Sequence, residues 1–383
     1  MKQLTYGMVG GAPGSFIGAQ HRRAINLDNL AILTAGCFSR TPSKNITTAK
    51  ELRISPEKCY RNFEEMARAE SSREDGIDFV VIVTPNVSHY PIAKAFLNAG
   101  IHVACDKPLA LTAEQGSELE KLAEEKELLF MVTYTYMGHV TAKHISRLIQ
   151  SGKIGKIRTV MSEYPQDGMA RLFNEKQKPE GWRLDPMQGG STYCLSDLGT
   201  HVENAVSTMT HLKIKRVLAK ADTMIPESIL DDNDFVLVEF EGGATGMFWI
   251  SKIALGHANS FCIRIFGEKG SIEWNQEECE LFTLTDEKGN VHKMRRGNRG
   301  GEAEASSYAR LPAGHTEGFL EAMSNLYASF TACIRAKQDG TFFPEMVDYP
   351  TVTDGLNGLR FVEACERSSK EGNIWVNITS VSS

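Results

Sequence analysis

The sequence predicts an α/β protein, with a doubly wound parallel sheet at the N-terminus and a second α/β domain of mostly antiparallel strands behind it. Two observations carry this. Continuous apolar runs alternate with helical patterns over the first third of the chain, and after about residue 135 they give way to longer strands of alternating polarity. The 383 residues suit two domains of ordinary size, here 1–135 and 136–383.

Residues 4–9 read as the first strand and close on glycines, with a helical pattern following through 19–25. Segments 31–38, 78–83, 101–105 and 128–133 read as four more strands. Their near-continuous apolar content is that of strands buried on both faces, as in a parallel sheet covered by helices. Further on, 142–150 reads as a helix that ends at Ser151-Gly152. Segments 235–240, 244–250 and 260–266 read as strands with one solvated or interface face. The stretch 292–312, rich in Gly, Arg, Glu and Ser, reads as a long loop, and helices are expected near 315–336 and 350–370.

Composition excludes several classes. The net charge is −6. The densest basic run, Met294-Arg295-Arg296-Gly297-Asn298-Arg299, is short and lies in a Gly-rich stretch, so no nucleic-acid partner is expected. No apolar run approaches membrane-spanning length, and Met1-Lys2-Gln3 leads into a strand without a signal-peptide pattern. Eight cysteines are scattered without a CxxC pair and read as reduced thiols of a cytoplasmic protein. The histidines show no H-E-x-x-H spacing, so no metal is expected.

Gly10-Gly11-Ala12-Pro13-Gly14-Ser15-Phe16-Ile17-Gly18 joins the first strand to the first helix. Glycine lets a backbone turn tightly and approach a ligand with no Cβ in the way. The helix behind it offers free N–H groups and a positive dipole end, together a seat for a pyrophosphate. The loop is longer than the strict G-x-G-x-x-G pattern, and taken alone would read as a plain turn. Its place after the first strand of an α/β domain points to a Rossmann dinucleotide site lined by Gly10, Gly11, Gly14, Ser15, Phe16 and Ile17. An acidic residue at the end of the second strand would hold the ribose of NAD; Ser39 and Arg40 stand there instead, and suit a 2′-phosphate. The cofactor reading is NAD or NADP, leaning to NADP, although Arg40 stacked on the adenine face would accept either.

Three further segments follow in order: Thr84-Pro85-Asn86-Val87-Ser88-His89, Asp106-Lys107-Pro108-Leu109-Ala110 and Asp197-Leu198-Gly199-Thr200-His201. They resemble the signatures of the Gfo/Idh/MocA oxidoreductases. The resemblance covers nearly the whole chain and extends to Gly181-Trp182-Arg183 and to Asp354-Gly355-Leu356-Asn357-Gly358-Leu359-Arg360. The extended glycine turn resembles the branch containing levoglucosan dehydrogenase. The resemblance implies a Rossmann domain followed by an α/β domain with a large open sheet often used for oligomerisation, hence a homodimer or homotetramer. A C-terminal helix near 350–370 is expected to pack back on the Rossmann domain. It implies NAD or NADP and a sugar, anhydrosugar, polyol or cyclitol as substrate. It adds Thr84, Pro85, Asn86, His89, Asp106, Lys107 and Pro108 to the cofactor-binding set. Two positions depart from the family's pattern: Asp106, where Glu is frequent, and Asn204, where Asp is usual.

Oxidising a secondary alcohol requires a hydride acceptor, a base for the hydroxyl proton and a holder for charge on oxygen. Lys107 follows a strand at its C-terminal end, where open α/β sheets bind ligands, and the resemblance implies that its ammonium meets the reacting oxygen, with Pro108 stiffening the turn. Outside this pattern a Lys-Pro pair is usually a solvated lysine. Asp197 and His201 lie four apart and share a face at a helix start, and a carboxylate beside an imidazole orients it and raises its basicity. His201 is the expected general base, with Asp197 its partner, a substrate ligand, or simply a helix N-cap. Gly199 is expected to let the helix start approach the nicotinamide. Tyr136, Tyr164, Arg183 and His315 are candidates for sugar hydroxyls, with packing or surface roles equally open. The expected function is NAD(P)-dependent dehydrogenation of a CH–OH group. The alternatives are an NAD-dependent glycoside hydrolase with a recycled cofactor and a cofactor-binding protein without turnover.

Overall fold

Short Val/Ile-rich runs build the first unit, which comprises residues 1–138 and 319–356. The computed structural model describes residues 3–177, 181–226, 228–297 and 307–378. Strands β1 (Leu4–Gly10), β2 (Ala31–Cys37), β3 (Phe79–Val83), β4 (His102–Cys105) and β5 (Phe130–Val132) form a sheet in the order β2-β1-β3-β4-β5. Every pair is parallel. All five residues of β3 are buried, as a central strand covered on both faces must be. Beyond β2, one parallel bridge joins Gly36 to Cys59, a remnant of the further edge strand in the usual dinucleotide-binding order.

Helices α1 (Phe16–Leu27), α2 (Pro42–Glu51), α3 (Phe63–Ser71), α4 (His89–Asn98) and α5 (Ala113–Glu125) connect these strands. Their starts are written in the sequence. The Asn62 carboxamide accepts the Glu65 N–H at 2.7 Å, and the Thr112 hydroxyl accepts that of Gln115 at 3.2 Å. The helix Phe319–Gln338 places Met323, Leu326, Tyr327, Phe330 and Ile334 at helical spacing in the same core as Tyr6 and Phe79. Phe79 stacks on Tyr6 at 5.4 Å and meets Phe330 edge-on at 5.5 Å.

This helix was expected within 136–383. Burial groups it with the first unit, because an apolar helix face joins whichever sheet face it covers, whatever the chain order. The division falls at Gly138, and the opening turn of the helix Val352–Lys370 also belongs to the first unit. A Cβ on Gly355 would lie 2.9 Å from Leu109 and from Val132, so glycine permits that close packing.

The second unit comprises 139–318 and 357–383. Its strands are β6 (Ile157–Pro165), β7 (Ile214–Asp222), β8 (Asn233–Phe240), β9 (Thr245–Ser251), β10 (Cys262–Gly267), β11 (Gly270–Asn275), β12 (Leu281–Asp286), β13 (Val291–Arg295) and β14 (Val376–Asn377). They form one sheet in the order β13-β12-β11-β10-β6-β9-β8-β7-β14. Only β6 with β9 is parallel among these pairs. Strand β8 alternates as predicted: Val236, Val238 and Phe240 are buried, while Phe235 and Leu237 are exposed. Helices Val140–Gln150 and Thr200–Thr210 pack on one another, and the latter lies against β6. The loop expected over 292–312 begins later, because Val291–Arg295 pairs with β12. A polar edge strand carries no apolar alternation to reveal it. Residues 298–306 of that segment lie outside the described residues.

His102 opens β4, and its Nδ1 accepts the Leu129 N–H at 3.0 Å, which requires a neutral ring. Burial, with Lys337 nearby, pushes its pKa down to about 4. The folded value lies below the unfolded one, so stability is fully present above pH 6.5 and is lost as pH falls towards 4. The thermal midpoint is expected to fall over that window. His102→Gln, which keeps an acceptor but cannot titrate, should flatten the fall measured by calorimetry.

Candidate active site

The glycine turn sits at the C-terminal end of β1, beside β3, where the strand order reverses and doubly wound sheets bind ligands. Gly10, Gly11 and Gly14 have φ of 88°, 76° and 93°. A Cβ on Gly10 would lie 2.7 Å from the Val83 carbonyl, and one on Gly18 would lie 2.4 Å from the Gly11 Cα. The turn and the start of α1 therefore touch backbone to backbone. Around Gly14 the space is open. Ser15 caps α1, and Phe16 behind it is exposed. Arg22, not singled out from the sequence, donates to the Gly11 carbonyl at 2.9 Å and fixes the turn from below. A cradle of backbone with no Cβ, at the N-terminus of α1, fits a dinucleotide pyrophosphate.

At the end of β2, Asn45 accepts the N–H groups of Phe38 and Ser39 at 2.7 and 3.3 Å and donates to the Tyr60 carbonyl at 2.8 Å. This shapes the turn and leaves Arg40 exposed. After β3, the buried His89 ring lies 2.8 Å from the Thr84 carbonyl and 2.8 Å from the Pro108 carbonyl. It ties the Thr84-Pro85-Asn86 turn to the turn after β4. Burial holds its pKa below the ordinary value although both carbonyls favour a second proton. In that second turn, Asp106 accepts the Lys107 N–H at 3.0 Å and the Thr133 hydroxyl at 3.1 Å. The Lys107–Pro108 peptide is cis. Asp106 is thus a clasp for the lysine turn, a job its shorter side chain performs on its immediate neighbour. Tyr136 is buried in the turn Thr135–Gly138 that closes the first unit.

In the second unit, Asp197 lies in a π-helical turn, Leu195–Gly199, directly before the helix Thr200–Thr210. Such turns recur at functional sites. Asp231 anchors its start by accepting the Tyr193 and Leu195 N–H groups at 2.6 and 2.8 Å. The Asp197 carboxylate does not cap the helix; it accepts from the Lys252 ammonium, with Arg183 3.8 Å away. Arg183 lies over the Trp182 ring at 4.3 Å. His201 is buried, and Tyr164 meets it edge-on with ring centroids 6.2 Å apart. Gly199 faces Ile250 and Phe361, so its missing Cβ serves packing within the unit. His315 is exposed, with its carbonyl accepting from the buried Arg296. Beneath the π turn, Cys194, Asp231 and Asp234 bring ligand atoms within 4.8 Å of one another. Burial and the charge of Asp231 raise the Asp234 carboxyl well above the carboxylate range.

Two family models match this chain: the NAD-binding Rossmann fold of the oxidoreductase family over residues 4–134, and the GFO/IDH/MocA C-terminal domain over 142–273. An uncharacterized oxidoreductase of Bacillus subtilis, YfiI, is 36% identical over 98% of this chain and 97% of its own. The chain belongs to the Gfo/Idh/MocA oxidoreductases. An inositol dehydrogenase homolog of Azotobacter vinelandii, solved with NAD+, is 32% identical and superposes with a TM-score of 0.93 over 98% of this chain and 97% of its own. Levoglucosan dehydrogenase of Pseudarthrobacter phenanthrenivorans is 27% identical over 72% of this chain and 75% of its own.

Within this oxidoreductase the sequence reading missed Lys252, Gln166 and Asn259. Lys252 follows directly on β9, and its side chain is only 7% exposed. The one signal was a lysine continuing the buried end of an apolar strand. Asn204, where the family usually has Asp, is buried. Gly10→Ala must force the turn apart, since a Cβ there meets the Val83 carbonyl at a left-handed φ. Titration with fluorescent reduced nucleotide should show at least a tenfold weaker Kd, about 1.4 kcal/mol; an unchanged Kd would contradict the assignment of the cradle.

Proposed function

We propose that this oxidoreductase is an NAD(P)-dependent dehydrogenase for a secondary hydroxyl of a cyclitol, sugar, anhydrosugar or polyol. The observation that carries this is the Asp197 carboxylate, held by the Lys252 ammonium four residues before the buried His201, in a chain with a Rossmann turn suited to a dinucleotide. The Azotobacter vinelandii inositol dehydrogenase homolog was solved with NADH and myo-inositol, which supports a polyhydroxylated ring as the substrate class.

His201 takes the hydroxyl proton, and Asp197 orients the imidazole or accepts from a neighbouring substrate hydroxyl. Lys107, set by the Asp106 clasp, donates to the oxygen as negative charge develops. A nicotinamide dinucleotide seated on the glycine turn would supply the hydride acceptor. Tyr136, Tyr164, Arg183 and His315 are the proposed contacts for other hydroxyls. The exposed Arg40, beside Ser39 at the end of β2, supports NADP as the preferred nucleotide. The outer sheet face carries exposed Phe235, Leu237, Met247 and Phe266, and we assign it to contact between copies in a homodimer or homotetramer. The compartment we propose is the cytoplasm, on the strength of eight free cysteines; among the described residues no helix is long and apolar enough to cross a membrane.

Absorbance of reduced nicotinamide, followed with each nucleotide against inositols, anhydrosugars and hexoses, tests the reading. Reduction with one compound is expected; sugar release without net reduction would replace it with the recycled-cofactor hydrolase. Lys107→Ala should lower kcat by 10²-fold or more, the order expected for a group that stabilises transition-state charge. Arg40→Ala should lower kcat/KM for NADP roughly tenfold, the loss of one charge-assisted contact, and leave that for NAD nearly unchanged.

A further inference from the structure

The mechanism above uses Asp197 and His201 but leaves unexplained why a lysine is buried beside them. Burying an ammonium is costly unless it is paired and fully hydrogen-bonded. Lys252 meets that condition: its ammonium donates to Asp197 and, at 3.0 Å, to the Gln166 carboxamide oxygen, and it lies over the Tyr193 ring at 5.0 Å. Its backbone is fixed too, donating to the Asp232 carbonyl at 2.8 Å and accepting from Met169 at 3.0 Å.

Because Gln166 accepts from the ammonium, its amide nitrogen donates onward to the Asn259 oxygen at 2.7 Å. That oxygen also accepts the Tyr164 hydroxyl at 2.8 Å, and the Asn259 nitrogen donates to Gln276 at 3.1 Å. Tyr164 stacks on Phe261 at 4.8 Å and presents its ring to His201. The Asn259 oxygen thus gathers donors from both sides, and one connected network, Lys252–Gln166–Asn259–Tyr164, leads from the Asp197 carboxylate to the wall against the His201 imidazole.

We infer that Lys252 is a positioning residue of the reaction: its ammonium holds Asp197 as an aimed, ionised carboxylate, and its hydrogen-bonded chain seats the Tyr164 ring against His201. The inference rests on the acid–base roles proposed above. Around Asp197 stand the charged Lys252 from the end of β9 and Arg183 from the turn Trp182–Leu184, with the Tyr193 phenol from the segment before it acting on the same groups. Burial alone would lower the Lys252 pKa, but the charge of Asp197, with Tyr193 adding to it, leaves it above the ordinary lysine value. Lys252 is therefore charged throughout the working pH range. Arg183 is no substitute, being 3.8 Å away with its side chain 48% exposed and so screened by water.

The test compares Lys252→Met and Lys252→Arg with the wild-type chain, using reduced-nucleotide binding and the thermal midpoint as controls for folding. Removing the charge should lower kcat/KM by about 10²-fold, mainly through kcat, the order lost when an acid–base group is misplaced. The acid limb of the pH profile should move up by about one unit or more, because without the ammonium a proton binds more readily both to the partly buried Asp197 carboxylate and to the His201 base beyond it. Lys252→Arg should recover most of the rate. The Asp197 carboxyl, followed by 13C NMR of aspartate-labelled protein and identified by Asp197→Asn, should titrate at higher pH in Lys252→Met. A folded Lys252→Met within threefold of wild type, with the acid limb and the Asp197 titration unmoved, overturns the inference. If the wild-type chain oxidises no compound tested, the dehydrogenase reading fails separately, and an unmoved NMR titration still overturns this one. Should Lys252→Met not fold, Lys252→Gln, which keeps a donor without the charge, takes its place with the same two outcomes.

Discussion

The Asp197 carboxylate and the Lys252 ammonium are two charges removed from water, and the second unit is arranged to make that tolerable. Neither group stands on regular α-helix or mid-strand backbone. Asp197 is on a π turn whose start is pinned by Asp231, and Lys252 is on the residue that leaves β9. The remaining donors of Lys252 are met by Gln166 and by the face of Tyr193. A pair of this kind contributes little to net stability, since desolvation offsets the attraction. What it supplies is geometry, a carboxylate with one orientation and one charge state.

The first unit solves a different problem, largely by fixing its backbone. Its glycine turn brings backbone to backbone where a side chain would collide, and Arg22 braces the turn through the Gly11 carbonyl. The turns after β3 and β4 are joined by the His89 ring, which touches a carbonyl of each. Asp106 then fixes the backbone of Lys107. The Lys107 side chain thus starts from a rigid base, and positioning of this sort supplies rate.

Most of the first unit was legible in the sequence because its signals are local. Continuous apolar runs mark the strands, and the glycines and Asp106-Lys107-Pro108 each occupy a few consecutive residues, as does the Asp197 to His201 spacing of the second unit. The second site was legible only where it is local in the same sense. Lys252 meets Asp197 across 55 residues and Gln166 across 86, while Gln166 meets Asn259 across 93. No periodicity or short motif encodes such contacts; they exist only once the nine-stranded sheet has set its register. The helix Phe319–Gln338 escaped assignment to the first unit for the same reason, since its apolar face says that it is covered but not by what. The edge strand β13 was hidden by its own polarity.

On the function proposed above, this chain removes a proton from a secondary hydroxyl while the hydride on the same carbon passes to a nicotinamide. Isotope transfer tests it most directly. The enzyme is incubated with nucleotide and carbon-deuterated substrate, with myo-inositol as the first choice, and the reduced nucleotide is examined by mass spectrometry and proton NMR. The account predicts one deuterium at C4 of the reduced nicotinamide. Substrate consumed with no deuterium in the nucleotide would contradict it.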